Sequence, residues 1–299
     1  MKNVRVANDR RALGIGWSTA EARLTWADET SGPLPLGADL WLTVGADRRC
    51  VGFWRRDRHI PCPTQSELPA SARGAACPEC QTLDRQDSVA ADTRLDDPRE
   101  FSVYLAHHGT KIKIGITARQ RGRIRLLEQG ALASMIISTG TLLAARRTEH
   151  LVSTALGYPD RIGSAIKYAA RTRPGASSDR ARELLAAAGR ADALDWPEGQ
   201  NRVADPEIVD HCATYGLPDS GVHPRTAMLP LVPGAVVGGR LDCAIGTELY
   251  LDTDRGLTMI NSRLLAGWPL DPAPPGAVFS APTRAVDPTP PQDTQDALF

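Results

Sequence analysis

The chain has no run of eighteen or more apolar residues, which excludes an ordinary transmembrane helix. Its opening, MKNVRVANDRRALGIGW, lacks the apolar centre of a signal peptide, so a cytoplasmic location is expected. No internal repeat is visible, which sets aside solenoid and propeller architectures. Net charge is also missing: 35 Lys and Arg stand against 35 Asp and Glu. What remains is the composition of a globular protein, and 299 residues suffice for two or three modules with cores of their own.

The zero balance conceals segregation. Between Phe101 and Arg173 lie twelve Lys and Arg residues but only Glu128, Glu149 and Asp160, so this segment carries 12 − 3 = +9 and the rest carries −9. Such asymmetry speaks of partners rather than fold, and a phosphate backbone is the commonest polyanion for it. Nucleic acid, DNA or RNA, is therefore the expected partner. An ordinary arginine-rich surface is the plainer alternative.

The local pattern predicts an α+β protein. Residues 1–49 read as an N-terminal β region, with RLTW and DLWLTVG as short strands separated by Ser31, Gly32, Pro33 and Pro35. Residues 50–92 form a cysteine segment with little regular pattern. Across 101–195 the pattern becomes α/β: FSVYLAHH and IKIGIT read as a hairpin joined at HGTK, and RGRIRLLEQ and LLAARRTEHLVSTALG as helices. Gly157 is placed to end the second helix. SSDRARELLAAAG is a third helix, opened by Ser178 or Asp179 and closed by Gly189. Residues 200–270 return to short β runs, GAVVGGRL, ELYLD and LTMINSRL. Residues 271–299, with seven prolines among small and polar side chains, read as a disordered tail.

Four of the six cysteines fall within 31 residues, as Cys50-x11-Cys62-x14-Cys77-Pro-Glu-Cys80. In an unexported chain, clustered cysteines are metal ligands or redox pairs more often than disulfides. The closing Cys-x-x-Cys is the knuckle that lets two thiolates reach one tetrahedral ion, and two further thiolates make a closed four-sulfur shell. The expectation is a structural Zn²⁺ on Cys50, Cys62, Cys77 and Cys80, with His59 able to replace one sulfur. A redox pair usually opens a helix after a strand, whereas here SARGAA precedes the pair. Buried free thiols are the other alternative.

Within the basic segment, Ser102-Val103-Tyr104 leads one strand and Lys113-Ile114-Gly115-Ile116-Thr117 the next. Arg123 and Arg125 open a helix, and Glu149 lies in a later one. This order resembles the GIY-YIG nuclease superfamily, in which a strand tyrosine, a second-strand glycine, a helix arginine and a later glutamate converge on one face. The resemblance implies a GIY-YIG-like domain over 101–195 and an endonuclease activity. Glu149 is then the expected ligand of a catalytic Mg²⁺, which usually keeps several waters. Arg125, or Arg123 at the family's usual offset from the glycine, would stabilise charge on the phosphate. Tyr104 would position or deprotonate the attacking water, for which a cationic neighbour must lower its pKa from about 10. Lys113 replaces the family's second tyrosine, and its ammonium is suited to that task. Each residue also has a plainer role: Tyr104 as core, Gly115 as relief of strand crowding, Glu149 as a surface partner of Arg146.

Over a longer span, RCVGFW, HIPCP, CPECQ, VYLAHHGTKIKIGIT, RLLEQGALA and ARRTEH, with a weaker LYLDTDRGLTMINSRLLAGWPL, resemble an uncharacterised bacterial family, domain of unknown function 2797. That resemblance implies an architecture and leaves the reaction open. Beside hydrolysis stand two other readings: a nucleic-acid binder that kept the fold without the chemistry, and a zinc-stabilised module for an acidic protein partner.

Overall fold

A computed structural model describes residues 10–55, 58–72, 74–86, 88–89, 93–94 and 96–287. The chain divides into two compact units, one from the segments up to Leu95 and Pro224–Val286, the other centred on Asp96–His223. Among the described residues no helix is long and apolar enough to cross a membrane.

The first unit begins with an antiparallel three-stranded sheet, β1 (Ala12–Trp17), β2 (Ala22–Trp26) and β3 (Ser31–Pro33), followed by β4 (Asp39–Val44). The cysteine segment, expected to lack regular structure, holds a short hairpin of β5 (Phe53–Arg55) and β6 (Arg58–Ile60) and a helix, α1 (Pro78–Gln86). Pro78 favours helix entry because its missing N–H is one the first turn leaves unpaired anyway.

The second unit is a five-stranded sheet with helices. Its strands are β7 (Phe101–His108), β8 (Lys111–Ala118), β9 (Ala133–Gly140), β10 (Gln200–Arg202) and β11 (Ile208–Asp210). β7 lies between β8 and β9, antiparallel to both, while β10 and β11 pair with the far side of β9. Every residue of β7 is buried, the mark of a strand covered on both faces. The helices are α2 (Gly122–Gln129), α3 (Leu142–Leu156), α4 (Ser164–Thr172), α5 (Ser177–Asp192) and α6 (Cys212–Tyr215). The β7–β8 hairpin and α2 fall where the sequence placed them, and Gly157 ends α3 in the left-handed conformation. The third predicted helix differs at both ends: α5 is capped by Ala176 and runs through Gly189 to Asp192. A mid-helix glycine costs only about 1 kcal/mol, less than the buried face of Arg180, Leu184, Ala187 and Ala191 supplies.

The chain then returns to the first unit as β12 (Thr226–Met228), β13 (Val236–Ile245), β14 (Glu248–Thr253), β15 (Gly256–Asn261), β16 (Leu270–Pro272) and β17 (Thr283–Ala285). These strands join β4 in one seven-stranded sheet, ordered β16-β4-β13-β14-β15-β12-β17. The N- and C-terminal β regions, separate in the sequence reading, thus share a single sheet. The predicted tail needs the same correction: up to residue 287 it contributes both edge strands and the buried Phe279, while 288–299 lie outside the described residues. Proline has no N–H to give a ladder and so sits at sheet edges, where Pro272 is found.

Candidate functional site

The first site grows from the hairpin. Cys50 and Cys62 are eleven residues apart, and β5 and β6 fold that interval back on itself, with Phe53 opposite Ile60 and Trp54 opposite His59. Gly52 makes the return possible. Its φ is +100°, and a Cβ there would stand 1.9 Å from the Ile60 carbonyl oxygen and 2.8 Å from the Cys62 nitrogen. No other residue fits that crossing. The second pair lies at the start of α1, where Cys77 precedes Pro78 and Cys80 sits in the first turn. Helix N-termini favour negative charge, so the geometry suits thiolates.

All four cysteines are buried, and their sulfurs lie within 4.8 Å of one another. Phe53, Leu68 and Ala76 pack around them. The Cys77 and Gly52 amides donate to the Cys50 sulfur at 3.1 and 3.4 Å, and the Thr64 hydroxyl lies 3.2 Å from the Cys62 sulfur. Burial pushes the Cys50 and Cys80 thiols up from their ordinary value. At Cys62 burial acts the same way, but hydrogen bonds from Thr64 and the Ser66 backbone outweigh it and bring the group to about 6. A cation among the sulfurs favours the thiolate at all four. Four buried sulfurs at this separation can hold one structural metal ion such as zinc, with no position left for a reactant.

His59 is not among the clustered ligands. Its buried ring packs against Trp54, with centroids 5.2 Å apart. The expectation that it could replace a sulfur is therefore not met in this geometry. The helix start at Cys77 also gives this pair a regular element in a segment where little regular pattern was expected. It is a feature shared with redox pairs, although the two additional sulfurs are not.

One residue that motif reasoning missed braces this segment. Arg48 is buried and reaches backbone carbonyls alone: Nε donates to Ala266 at 2.9 Å, and Nη1 to Ala72 at 2.9 Å, Ala70 at 3.1 Å and Pro69 at 3.3 Å. Burial lowers its pKa from the usual arginine value. It ties the loop between Cys62 and Cys77 to the turn after β15. Nothing in RRC marks Arg48 apart from Arg49.

The second site lies on β7, β8, α2 and α3. Tyr104 and Gly115 are direct partners across the β7–β8 ladder. A Cβ at Gly115 would lie 2.4 Å from the Tyr104 hydroxyl oxygen and 2.6 Å from Cζ, so the tyrosine lies across the glycine. The ring is 1 % exposed and packs with Ala106, Leu126 and Ala131. Its hydroxyl oxygen accepts a hydrogen bond from Gln129 Nε2 at 2.7 Å. The main-chain carbonyl of Gln129 accepts from Lys167 Nζ at 2.8 Å.

Three charged groups act on Tyr104. The Lys113 ammonium is 5.9 Å from its ring centre, and Arg125 and Glu149 are close enough to move its pKa. Lys113 feels Glu149 and Arg125 as well, and it donates to the Asp160 carbonyl. Tyr104, Lys113, Gly115, Arg125 and Glu149 are therefore neighbours. Arg123 departs in another direction, donating to Thr214 at 3.2 Å, while Arg125 lies 3.5 Å from Glu128.

The electrostatics reverse one expectation. Burial is the dominant influence on Tyr104 and, despite Gln129 and Arg125, pushes its pKa up to about 12. Lys113, half-buried, has its pKa lowered by desolvation. Tyr104 therefore keeps its proton at neutral pH, because removing water from a phenolate costs more than these neighbours return. Gln129 was overlooked, though it stands four residues after Arg125 and so shares its helix face. His108 shares the Tyr104 face of β7 and is wholly buried. Desolvation, reinforced by Lys167, Lys113 and Arg171, keeps its imidazole neutral. On the opposite face, His107 Nε2 lies 2.9 Å from Glu183 at the wall of a cleft between α4 and α5.

Neither a curated protein nor a solved structure matches the chain. The family model described as a protein of unknown function, DUF2797, matches residues 40–270, which take in both sites. The chain belongs to the DUF2797 family.

Proposed function

We propose that the protein hydrolyses phosphodiester bonds in DNA or RNA at the Tyr104 site, and that its four cysteines hold a structural Zn²⁺. The observation that carries the first part is the convergence of Tyr104, Gly115, Lys113, Arg125 and Glu149 from four separate elements. Their likeness to the GIY-YIG arrangement and the +9 balance of residues 101–173 support it.

The chemistry follows from the groups present. With its pKa raised, Tyr104 serves as a hydrogen-bond donor: Gln129 occupies its oxygen, leaving the phenolic proton to orient a water or a phosphate oxygen. The Lys113 ammonium and the Arg125 guanidinium offset charge on the phosphate, acting beside a buried ring where a charge is poorly screened. Glu149 supplies one hard carboxylate, fitting an Mg²⁺ completed by substrate oxygens and water. When bound, that ion would polarise the scissile phosphate and stabilise the leaving oxygen. The zinc module would hold its own hairpin and helix in place and take no part in the reaction.

The test is cleavage of mixed DNA and RNA with Mg²⁺ by the natural protein and its Glu149→Gln form. Cutting by the natural protein alone supports the reading. Equal cutting by both points to a contaminant, and no cutting by either favours a binding protein that shares the architecture without the reaction.

A further inference from the structure

Among the described residues only one Phe, Tyr or Trp side chain is exposed, and it stands on the cysteine hairpin. Trp54 is 52 % exposed. Strand alternation explains why it faces out: Phe53 packs against the four sulfurs, so its neighbour on β5 points away from them. One side of the indole rests on the buried His59 ring, tilted by 52°, and the Trp54 amide is held by Asp84 of α1 at 3.2 Å. The side chain is thus presented on a braced support. Exposing a tryptophan costs burial energy that a core position would recover.

The tip of the same hairpin carries a second anomaly. Arg55 and Arg58 are direct cross-strand partners, both exposed, and neither has a carboxylate partner among the described residues. Like charges opposite one another destabilise a strand pair unless an anion lies between them. An outward indole beside paired guanidinium groups matches one ligand chemistry: a flat base with a free π-face, linked to phosphates.

We infer that the cysteine hairpin is a single-strand binding element, with Trp54 stacking on an unpaired base and Arg55 and Arg58 meeting the adjoining phosphates. This rests on the nucleic-acid reading above and narrows it to substrates with unpaired nucleotides. A base-paired duplex does not serve, because its bases already stack on one another.

Anisotropy titrations of the zinc-loaded full chain with labelled single-stranded and duplex oligonucleotides test it. Trp54→Ala should weaken single-strand binding by about 5- to 150-fold, Trp54→Phe should restore most of the loss, and duplex binding should barely change. Arg55→Gln with Arg58→Gln should flatten the salt dependence of single-strand binding by about 1.4 in slope. Zinc content and circular dichroism should match the natural protein, since Trp54 is not core. Unchanged single-strand affinity in Trp54→Ala overturns this inference alone, leaving the proposed hydrolysis standing. Loss of self-association in Trp54→Ala also overturns it, identifying the indole as an interface between copies. Failure of the natural protein to bind any oligonucleotide removes both readings.

Discussion

Replacing Gly115 by alanine is the sharpest probe of the β7–β8 site. The added methyl would sit 2.4 Å from the Tyr104 hydroxyl oxygen, 2.6 Å from Cζ and 3.1 Å from Cε2. Ordinary contacts of this kind are about 3.5–4.0 Å, so the ring must retreat by roughly 1 Å. It has no free space for that, being buried against Leu126 and Ala131. Forcing one methyl into such packing costs about 1–3 kcal/mol. A shift of that size also breaks the Gln129 bond to the hydroxyl, worth about 1 kcal/mol more. The expected loss is therefore about 2–4 kcal/mol, confined to the second unit. Hydrogen-exchange mass spectrometry on peptides spanning 101–118 measures that unit by itself. The same substitution made with Tyr104→Leu should cost less by about 1–3 kcal/mol, since the clash has gone. If Gly115→Ala leaves exchange unchanged, or costs the same with and without Tyr104, the account of this pair is wrong.

Removing the Tyr104 hydroxyl probes its raised pKa. A phenol at about 12 in the folded chain and near 10 unfolded holds its proton more tightly when folded, so its contribution is complete below pH 10 and disappears as pH rises through 12. The natural protein should lose about 2–3 kcal/mol more across that window than Tyr104→Phe, as followed by denaturant titration at successive pH values. Cys80→Ser should reduce zinc content, measured by atomic absorption, and chelation should unfold the β5–β6 hairpin and α1, seen as lost helical signal. Lower pH should weaken zinc binding, because burial holds the Cys50 and Cys80 protons that the ion must displace. Arg48→Leu strands the carbonyls of Ala70, Ala72 and Ala266 and should destabilise the first unit by about 3 kcal/mol or more. Arg48→Lys should recover only part of this, having no planar fork; thermal denaturation distinguishes the two.

Several elements were legible because their causes are local. FSVYLAHH and IKIGIT declare strands by their apolar runs, and the glycine after LVSTAL declares a helix end. Cys77-Pro-Glu-Cys80 fixes a two-ligand spacing that any fold must respect. The irregular interval from Cys50 to Cys62 was opaque, since nothing local says that Phe53–Arg55 and Arg58–Ile60 pair into a hairpin. Gly52 meets the Ile60 carbonyl only after that pairing. The tail was misread for a similar reason: proline-rich composition suggests disorder, while an edge strand tolerates proline.

The sequence by itself determined the cysteine set, the β7–β8 hairpin, the order of Tyr104, Gly115, Arg125 and Glu149, and the charge segregation. All of these are matters of residue type and spacing. Only the tertiary structure decided that β4 joins β13 and β16, that Arg48 clamps carbonyls nearly 200 residues apart in the chain, and that Arg123 turns toward Thr214. It also decided the ionisation of Tyr104. A sequence shows the lysine and arginine that would help a phenolate form, but not the loss of water that outweighs them, because desolvation depends on everything packed around the ring.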